Sequence, residues 1–249
     1  MRKIKVGVIP AAGPGRRLSS LPLTRVLPKC LLPITNKPIL EYVVENMKQM
    51  GVEDVYMIVG FKKELIQEYF GDGKDFGVRI KYVLQSNPLG IAHAVGLTKE
   101  YVNEPFVVIL GDDLTIAKSF ENVVDVFWTK EASVVEGVVY EKNLEKLRQA
   151  CCVLLGADGK IMDITEKPKI PQSNVRGCGV YIFDSIIYEY IDKTLASPPR
   201  FEKEITNTIK LMSNDNSGYG VFINGTNINV NTTMDLLEAT KLLQSFQSN

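Results

Sequence analysis

The chain has 249 residues, of which 45% are hydrophobic, enough to bury the core of one large α/β domain. Its 29 Lys and Arg balance 29 Asp and Glu, so it lacks the basic excess of a nucleic-acid or anionic-membrane binder, and any cations the function needs must be gathered locally. No apolar run approaches the roughly 18 residues of a membrane span, and Met1-Arg2-Lys3 leads into too short an apolar stretch for a signal peptide, so a cytoplasmic protein is expected.

Residues 5–9 have the β-branched density of a buried strand, yet the next periodic segment, a helix, begins only near Pro38. That connection is far longer than the roughly 2–6 residues usual after a strand. Leu18, Leu21, Leu27, Leu31 and Leu32 punctuate it and argue for order, because a segment that buries side chains can offset its ordering entropy. Ala11, Ala12, Gly13 and Gly15 would let a highly charged ligand approach the backbone N–H groups, and Arg16, Arg17, Arg25 and Lys29 add cations. The spacing fits neither common phosphate motif: no Gly-Lys-Ser/Thr follows, and Leu18 stands where a dinucleotide fingerprint has its third glycine. Taken alone, Gly13-Pro14-Gly15 fits a tight turn equally well.

Further along, Ile39, Leu40, Val43, Val44, Met47 and Met50 form one helical stripe that stops at Gly51. A strand over 52–59, a short helix over 64–70 ended by Gly71-Asp72-Gly73, and a strand over 78–84 follow. Strands alternating with helices predict a mostly parallel sheet covered on both faces, with ligands at the strands' carboxyl ends. Gln85 sits at one such end and can offer a donor and an acceptor side by side to a base edge, or face solvent. Gly90 can open a helix whose free N–H groups face the same cleft, whereas His93, the single histidine, reads as a surface or core residue.

The most apolar strand, 105–110, delivers Gly111-Asp112-Asp113. Two carboxylates there suit Mg²⁺, which takes one or two and completes its octahedron with waters and phosphate oxygens; capping the next turn is the alternative. A helix over 119–129 and a strand over 133–140 precede shorter strands over 151–155, 161–166 and 179–183, which predict a smaller antiparallel addition closing over the cleft. Glu166-Lys167 at a strand end could equally be a solvated ion pair, and Asn231 could be an N-cap for the terminal helix over 234–246, whose stripe is Leu236, Leu237, Leu243 and Phe246. Cys30, Cys151, Cys152 and Cys178 show no metal-ligand spacing and read as free core residues.

Together, Gly13-Pro14-Gly15-Arg16-Arg17-Leu18, Pro28-Lys29-Cys30-Leu31-Leu32-Pro33 and Asn36-Lys37-Pro38-Ile39 resemble the signature of sugar-1-phosphate nucleotidyltransferases, the group holding glucose-1-phosphate thymidylyl- and uridylyltransferases. The resemblance covers nearly the whole chain, with its motifs in the family's order. It implies a three-layer, Rossmann-like, mostly parallel mixed sheet with a smaller antiparallel sugar-binding addition, in a single domain divided into a 1–130 nucleotide-binding core and a 131–249 sugar-binding part. The reaction it implies is Mg²⁺-dependent transfer of a nucleotidyl group from a nucleoside triphosphate (UTP or dTTP favoured) to a sugar 1-phosphate (glucose 1-phosphate favoured), releasing pyrophosphate.

By the same resemblance, Arg17 and Lys29 act on the phosphates, and Ala11, Ala12, Gly13, Gly15, Gln85, Gly90 and Asp112 bind the nucleotide. Asp113, Glu166 and Lys167 meet the sugar phosphate, the last two through Glu-Lys-Pro, and Asp112 holds the metal with Asn231 or, less favoured, Asn229. Arg16 stands where the family usually has Thr, Cys151 where many relatives have a Gly beside the sugar, and Asn207 ends a Glu-Ile-Thr-Asp-like segment. The Asn metal ligand replaces the Asp of thymidylyl relatives and costs the site one negative charge, while its amide oxygen can still coordinate. The chain carries no hexapeptide-repeat tail, so neither acetyltransferase activity nor repeat-mediated trimerisation is expected, and its oligomeric state stays open. The rival readings are a cytidylyltransferase acting on another phosphorylated alcohol and a non-catalytic nucleotide-binding homologue.

Overall fold

Alternating β-branched residues build the central sheet, and each face of that alternation finds its own helical layer. The computed structural model describes residues 2–15, 18, 21–215 and 217–247. The first half runs β1 (Val6–Pro10), a short hairpin of β2 (Pro33–Ile34) and β3 (Lys37–Pro38), α1 (Ile39–Gln49), β4 (Asp54–Val59), α2 (Lys63–Phe70), β5 (Arg79–Leu84), α3 (Ile91–Gly96), β6 (Phe106–Ile109) and β7 (Asp113–Ala117). The second runs α4 (Glu121–Thr129), β8 (Val134–Tyr140), α5 (Leu144–Arg148), β9 (Cys151–Leu155), β10 (Ile161–Glu166), β11 (Val175–Phe183), α6 (Ile187–Lys193), α7 (Ile205–Asp215), β12 (Gly218–Phe222), β13 (Gly225–Asn229) and α8 (Thr233–Gln247).

β1 lies at the centre, parallel to β4 through Val8↔Tyr56 and to β6 through Val8↔Val108, and β4 continues the parallel order to β5. On the other side β11 runs antiparallel to β6 and β8, and β12 pairs parallel to β8. The β9–β10 hairpin joins at the opposite end of β11 through Arg176↔Cys152 and forms the expected antiparallel addition. The sheet is thus mixed and mostly parallel in its first half, as the sequence predicts.

The cores follow the period of two. Val55, Met57, Val107 and Ile109 face α1, α2 and α4, whereas Val6, Val8, Ile58, Phe106 and Val108 face α3, α6 and α7. A third cluster explains the ordered long connection: Leu18, Leu32 and Ile34 bury against Leu114 of β7, Ile228 of β13 and Ala239 and Leu243 of α8.

The structure departs from sequence expectation in several elements. Val52 and Glu53 precede β4 rather than belong to it, with the Glu53 and Asp54 N–H groups both donating to the Lys5 carbonyl (2.8 and 3.0 Å). β11 begins four residues earlier than expected and is buried throughout. Helices α5, α6 and α7 were not expected. Asp113, expected to follow the end of the 105–110 strand, instead opens β7, whose register against β13 pairs Asp113 with Asn229.

Glu136 of β8 is fully buried, and neither carboxylate oxygen has a hydrogen-bond partner among the described residues. A Cβ on Gly177 would collide with its Oε1, so the glycine makes room for the acid. Burial, with the Glu166 charge added, pushes this carboxyl up to about 8. The folded state therefore keeps a proton that the unfolded chain, at an ordinary 4.5, gives up, and stability falls as pH rises from about 4.5 to about 8. Glu136→Gln should raise the melting temperature by about 4 °C or more at pH 8.5 and leave it nearly unchanged at pH 4.5. Thermal unfolding followed by circular dichroism at the two pH values checks this; an equal shift at both would contradict it.

Candidate functional site

The carboxyl ends of β1, β4, β5 and β6 open into one cleft of about 620 Å³. Ala11, Ala12, Gly13, Gly15, Lys29, Gln85, Gly90, Asp112, Asp113, Glu166, Lys167, Asn229 and Asn231 all line it. Arg16 and Arg17, also singled out by sequence, lie outside the described residues.

At the glycine-rich end the backbone is partly committed. The Ala11 N–H donates to the Ile58 carbonyl (2.8 Å), and the Ala12 carbonyl accepts from the Phe61 N–H (3.1 Å), which fixes the segment against β4. Gly13 has open space where a Cβ would stand. Gly15 has φ +63°, and a Cβ there would come within 2.6 Å of Lys29 Cβ, so the glycine permits close packing of the lysine stem.

Gln85 is 7% exposed, and its amide is more constrained than its sequence position suggested. Nε2 donates to the Gly90 carbonyl (3.3 Å) and lies 2.8 Å from His93 Nδ1. Burial, with the Lys203 charge, lowers the His93 pKa and favours the neutral ring that accepts this bond. Both amide hydrogens are thereby engaged within the protein, and the oxygen is the group left for a ligand, rather than a donor and acceptor side by side. His93 thus has a role at the cleft that the sequence reading did not give it. At Gly90 the helix start is likewise less free than expected: the Ala92 N–H donates to the Lys203 carbonyl (3.0 Å).

Lys29 closes the centre of the cleft. It is 6% exposed, and its ammonium donates to Asp112 Oδ2 and to Asn231 Oδ1 (2.9 Å). Asn231 is held from below: Asp235 Oδ2 accepts from the Asn231 and Thr232 N–H groups (2.9 and 2.7 Å), and the Asp235 N–H donates back to Thr232 Oγ1 (3.2 Å). This reciprocal cap on α8 belongs to Thr232 and Asp235, which leaves the Asn231 side chain for the cleft instead of the N-cap role. A carboxylate and an amide oxygen converging on one ammonium form a donor set that fits a hard cation, with waters and phosphate oxygens completing an octahedron. Among the described residues no three His, Cys, Asp or Glu side chains cluster as a metal site, so a cation here would rely on that mixed set.

Asp113, expected to meet the sugar phosphate, lines the cleft but is 1% exposed. Its oxygens accept from Asn227 Nδ2 (3.3 Å) and Asn229 Nδ2 (3.1 Å). Burial and then the Asp112 charge push its carboxyl up to about 7, opposed by Arg176, Asn227 and Lys29. Arg176 donates to Asn227 Oδ1 (2.8 Å) and to the Asn227 carbonyl (3.0 Å). Neither Arg176 nor Asn227 was singled out by sequence, although Asn227 and Asn229 share one face of β13 and Asn231 continues the same spacing just beyond it.

The far end is acidic. Glu166 pairs with Lys167 and accepts from Thr206 Oγ1 (2.8 Å), and Cys151, Tyr181, Glu202 and Glu204 complete the wall. Burial raises the Glu204 pKa, with Glu166 adding to it. All four cysteines are buried and free; burial pushes the Cys30 thiol up to about 12 and Cys151 well above the ordinary range, so neither cleft thiol is a ready nucleophile. Among the described residues no helix is long and apolar enough to cross a membrane.

Comparison with known proteins identifies the family. The chain is 35% identical over 242 residues to the low-salt glycan biosynthesis nucleotidyltransferase Agl11 of Haloferax volcanii and 36% identical over 236 residues to the bifunctional protein GlmU of Methanocaldococcus jannaschii, in each case over 95% of this chain. These matches cover 65% and 53% of the two relatives, so the chain spans between about half and two thirds of their length. Among solved structures it is similar to a UDP-glucose pyrophosphorylase complexed with UDP-glucose, with a TM-score of 0.86 and 26% identity over 97% of this chain and 99% of that one. It is also similar to a putative glucose-1-phosphate thymidylyltransferase from Bacillus anthracis, with a TM-score of 0.86 and 29% identity over 96% of this chain and 94% of that one. The nucleotidyl transferase family model matches residues 6–245, and the chain belongs to that family.

Proposed function

We propose that this chain transfers a nucleotidyl group from a nucleoside triphosphate to a sugar 1-phosphate, giving a nucleoside-diphosphate sugar and pyrophosphate. UTP or dTTP and glucose 1-phosphate are the favoured substrates. The observation that carries the reading is the buried Lys29 ammonium held by Asp112 and Asn231 in the cleft that the glycine-rich segment and Glu166 also line. Relatives whose names and structures concern glycan biosynthesis, UDP-glucose and glucose 1-phosphate support the substrate class.

The nucleotide would lie along Ala11, Ala12, Gly13 and Gly15, its base edge meeting Gln85 Oε1, and the triphosphate would reach Lys29. An acceptor at Gln85 suits the N3–H of uracil or thymine, whose imide edges are the same. At the other end Glu166 offers an acceptor to sugar hydroxyls, and Lys167 a cation to the sugar phosphate. An oxygen of the sugar phosphate would attack the α-phosphorus in line, and pyrophosphate would leave on the opposite side. The attacking group is already ionised at neutral pH, so no general base is required. Catalysis then comes from positioning and charge, with Lys29 and Arg17 stabilising the α-phosphate and the departing pyrophosphate. Mg²⁺ bound between Asp112 and Asn231 would supply charge neutralisation at the phosphates.

Pyrophosphate release should be measured with Mg²⁺ and a matrix of UTP, dTTP, CTP, ATP and GTP against glucose-, N-acetylglucosamine-, galactose- and mannose-1-phosphate. The expected result is strong release in a UTP or dTTP column. Silence throughout, in a protein that still binds nucleotide by calorimetry, would favour a non-catalytic homologue. Lys29→Met should lower kcat by about 10²-fold or more with the circular dichroism spectrum retained, the scale expected when a preorganised cation is removed from a phosphoryl-transfer site. Near-normal turnover in that folded variant would contradict the role of Lys29.

A further inference from the structure

Across the floor of the cleft the polar side chains form one continuous line whose direction of hydrogen-bond donation can be followed. Arg176, a donor only, gives to Asn227 Oδ1 (2.8 Å), and Asn227 Nδ2 gives to Asp113 Oδ1 (3.3 Å). From the other side Lys29, also a donor only, gives to Asn231 Oδ1 (2.9 Å); Asn231 Nδ2 gives to Asn229 Oδ1; and Asn229 Nδ2 gives to Asp113 Oδ2 (3.1 Å). The line thus has a cation at each end and, where the two halves meet, the Asp113 carboxyl, whose two oxygens accept from Asn227 and Asn229. That arrangement fixes which end of every amide faces which neighbour.

The constraint matters because an amide offers oxygen at one end only. A carboxylate ligand offers oxygen in either orientation, whereas an amide turned over would present N–H groups to the positive charge. Lys29 calls for Asn231 Oδ1 from one end, and Asp113 enforces the same order from the other: it takes Nδ2 of Asn229, which turns Asn229 Oδ1 toward Asn231 Nδ2 and keeps Asn231 Oδ1 facing Lys29 and Asp112 when a metal ion displaces the ammonium. Room for the carboxylate is built into the fold. Gly179 has φ +67° where β11 bulges against β8, and a Cβ there would collide with Asp113 Oδ2.

We propose that Asp113 is a positioning residue that sets the amide polarity of Asn229 and Asn231, so that oxygen rather than N–H₂ faces Asp112 and the cation bound there. It acts through these amides without touching substrate, and the inference rests on the metal reading given under Proposed function.

Mn²⁺ is the probe, its binding to the full chain measured by the loss of the free-ion electron paramagnetic resonance signal. Asp113→Asn, which can donate to Asn229 and let it turn over, should weaken Mn²⁺ binding about 10-fold or more. The double variant Asp113→Asn/Asn229→Asp exchanges carboxylate and amide, restores the direction of donation, and should return the affinity to within about 3-fold of the unmodified chain. Should the single variant fail to fold, the double variant carries the test alone. A residue with a merely structural role would lower the melting temperature while leaving Mn²⁺ affinity in place. Unchanged affinity in Asp113→Asn, loss without recovery in the double variant, or failure of the double variant to fold would each overturn the proposal. Absence of Mn²⁺ binding by the unmodified chain would overturn the metal reading and this inference with it, whereas binding that Asp113→Asn leaves intact would overturn this inference alone.

Discussion

A buried ammonium is costly unless oxygen donors surround it, and Lys29 meets that demand by drawing three distant parts of the chain together. The long segment after β1 brings the lysine, the end of β6 brings Asp112, and the residues after β13 bring Asn231. Each is anchored by packing of its own: Leu18 and Leu32 bury beneath the loop, Gly15 accepts the lysine stem, and the Asp235 carboxylate ties Asn231 to the start of α8. The third hydrophobic cluster is therefore a precondition of the site, since without it the long connection would have no apolar surface to offset its ordering entropy.

The cleft's two ends then differ in character for physical reasons. Near Gly13 and Gly15 small residues leave the backbone accessible, and near Glu166 burial first, and then the Glu166 charge, raise the pKa of Glu204 and of Glu136. Lys29, packed against Gly15, is the cationic centre of the same cleft. A polyanion entering from the glycine-rich side and a hydroxyl-rich ring entering from the acidic side would each meet chemistry suited to it, with the charge of the reacting groups falling on the cationic centre.

The parallel half of the fold was legible because β1, β4 and β6 are short, β-branched and separated by helices with clean apolar stripes such as Leu40, Val43, Val44 and Met47. The later elements were harder to see: α5 and α6 have five and seven residues, too short for periodicity to register, and β7 and β13 are strands only because they pair with each other. The same pairing buries Asp113, which by sequence alone reads as a strand-end carboxylate open to the cleft. Gln85 was legible as a cleft residue but not its orientation, because the His93 contact depends on a helix start held by Lys203, far along the chain. Asn229 and Asn231 were legible as candidate metal ligands, whereas Asn227, two residues earlier in the same period, was not, because amides carry weaker signals than charges.

The most direct test of where the cation sits is anomalous X-ray scattering from crystals grown with Mn²⁺ and UTP. The expected result is a manganese peak bonded to the Asp112 carboxylate and to the side-chain oxygen of Asn231, with the Lys29 ammonium displaced onto a phosphate. A nucleotide bound in the cleft with manganese held elsewhere, or with Lys29 still bridging Asp112 and Asn231, would contradict it.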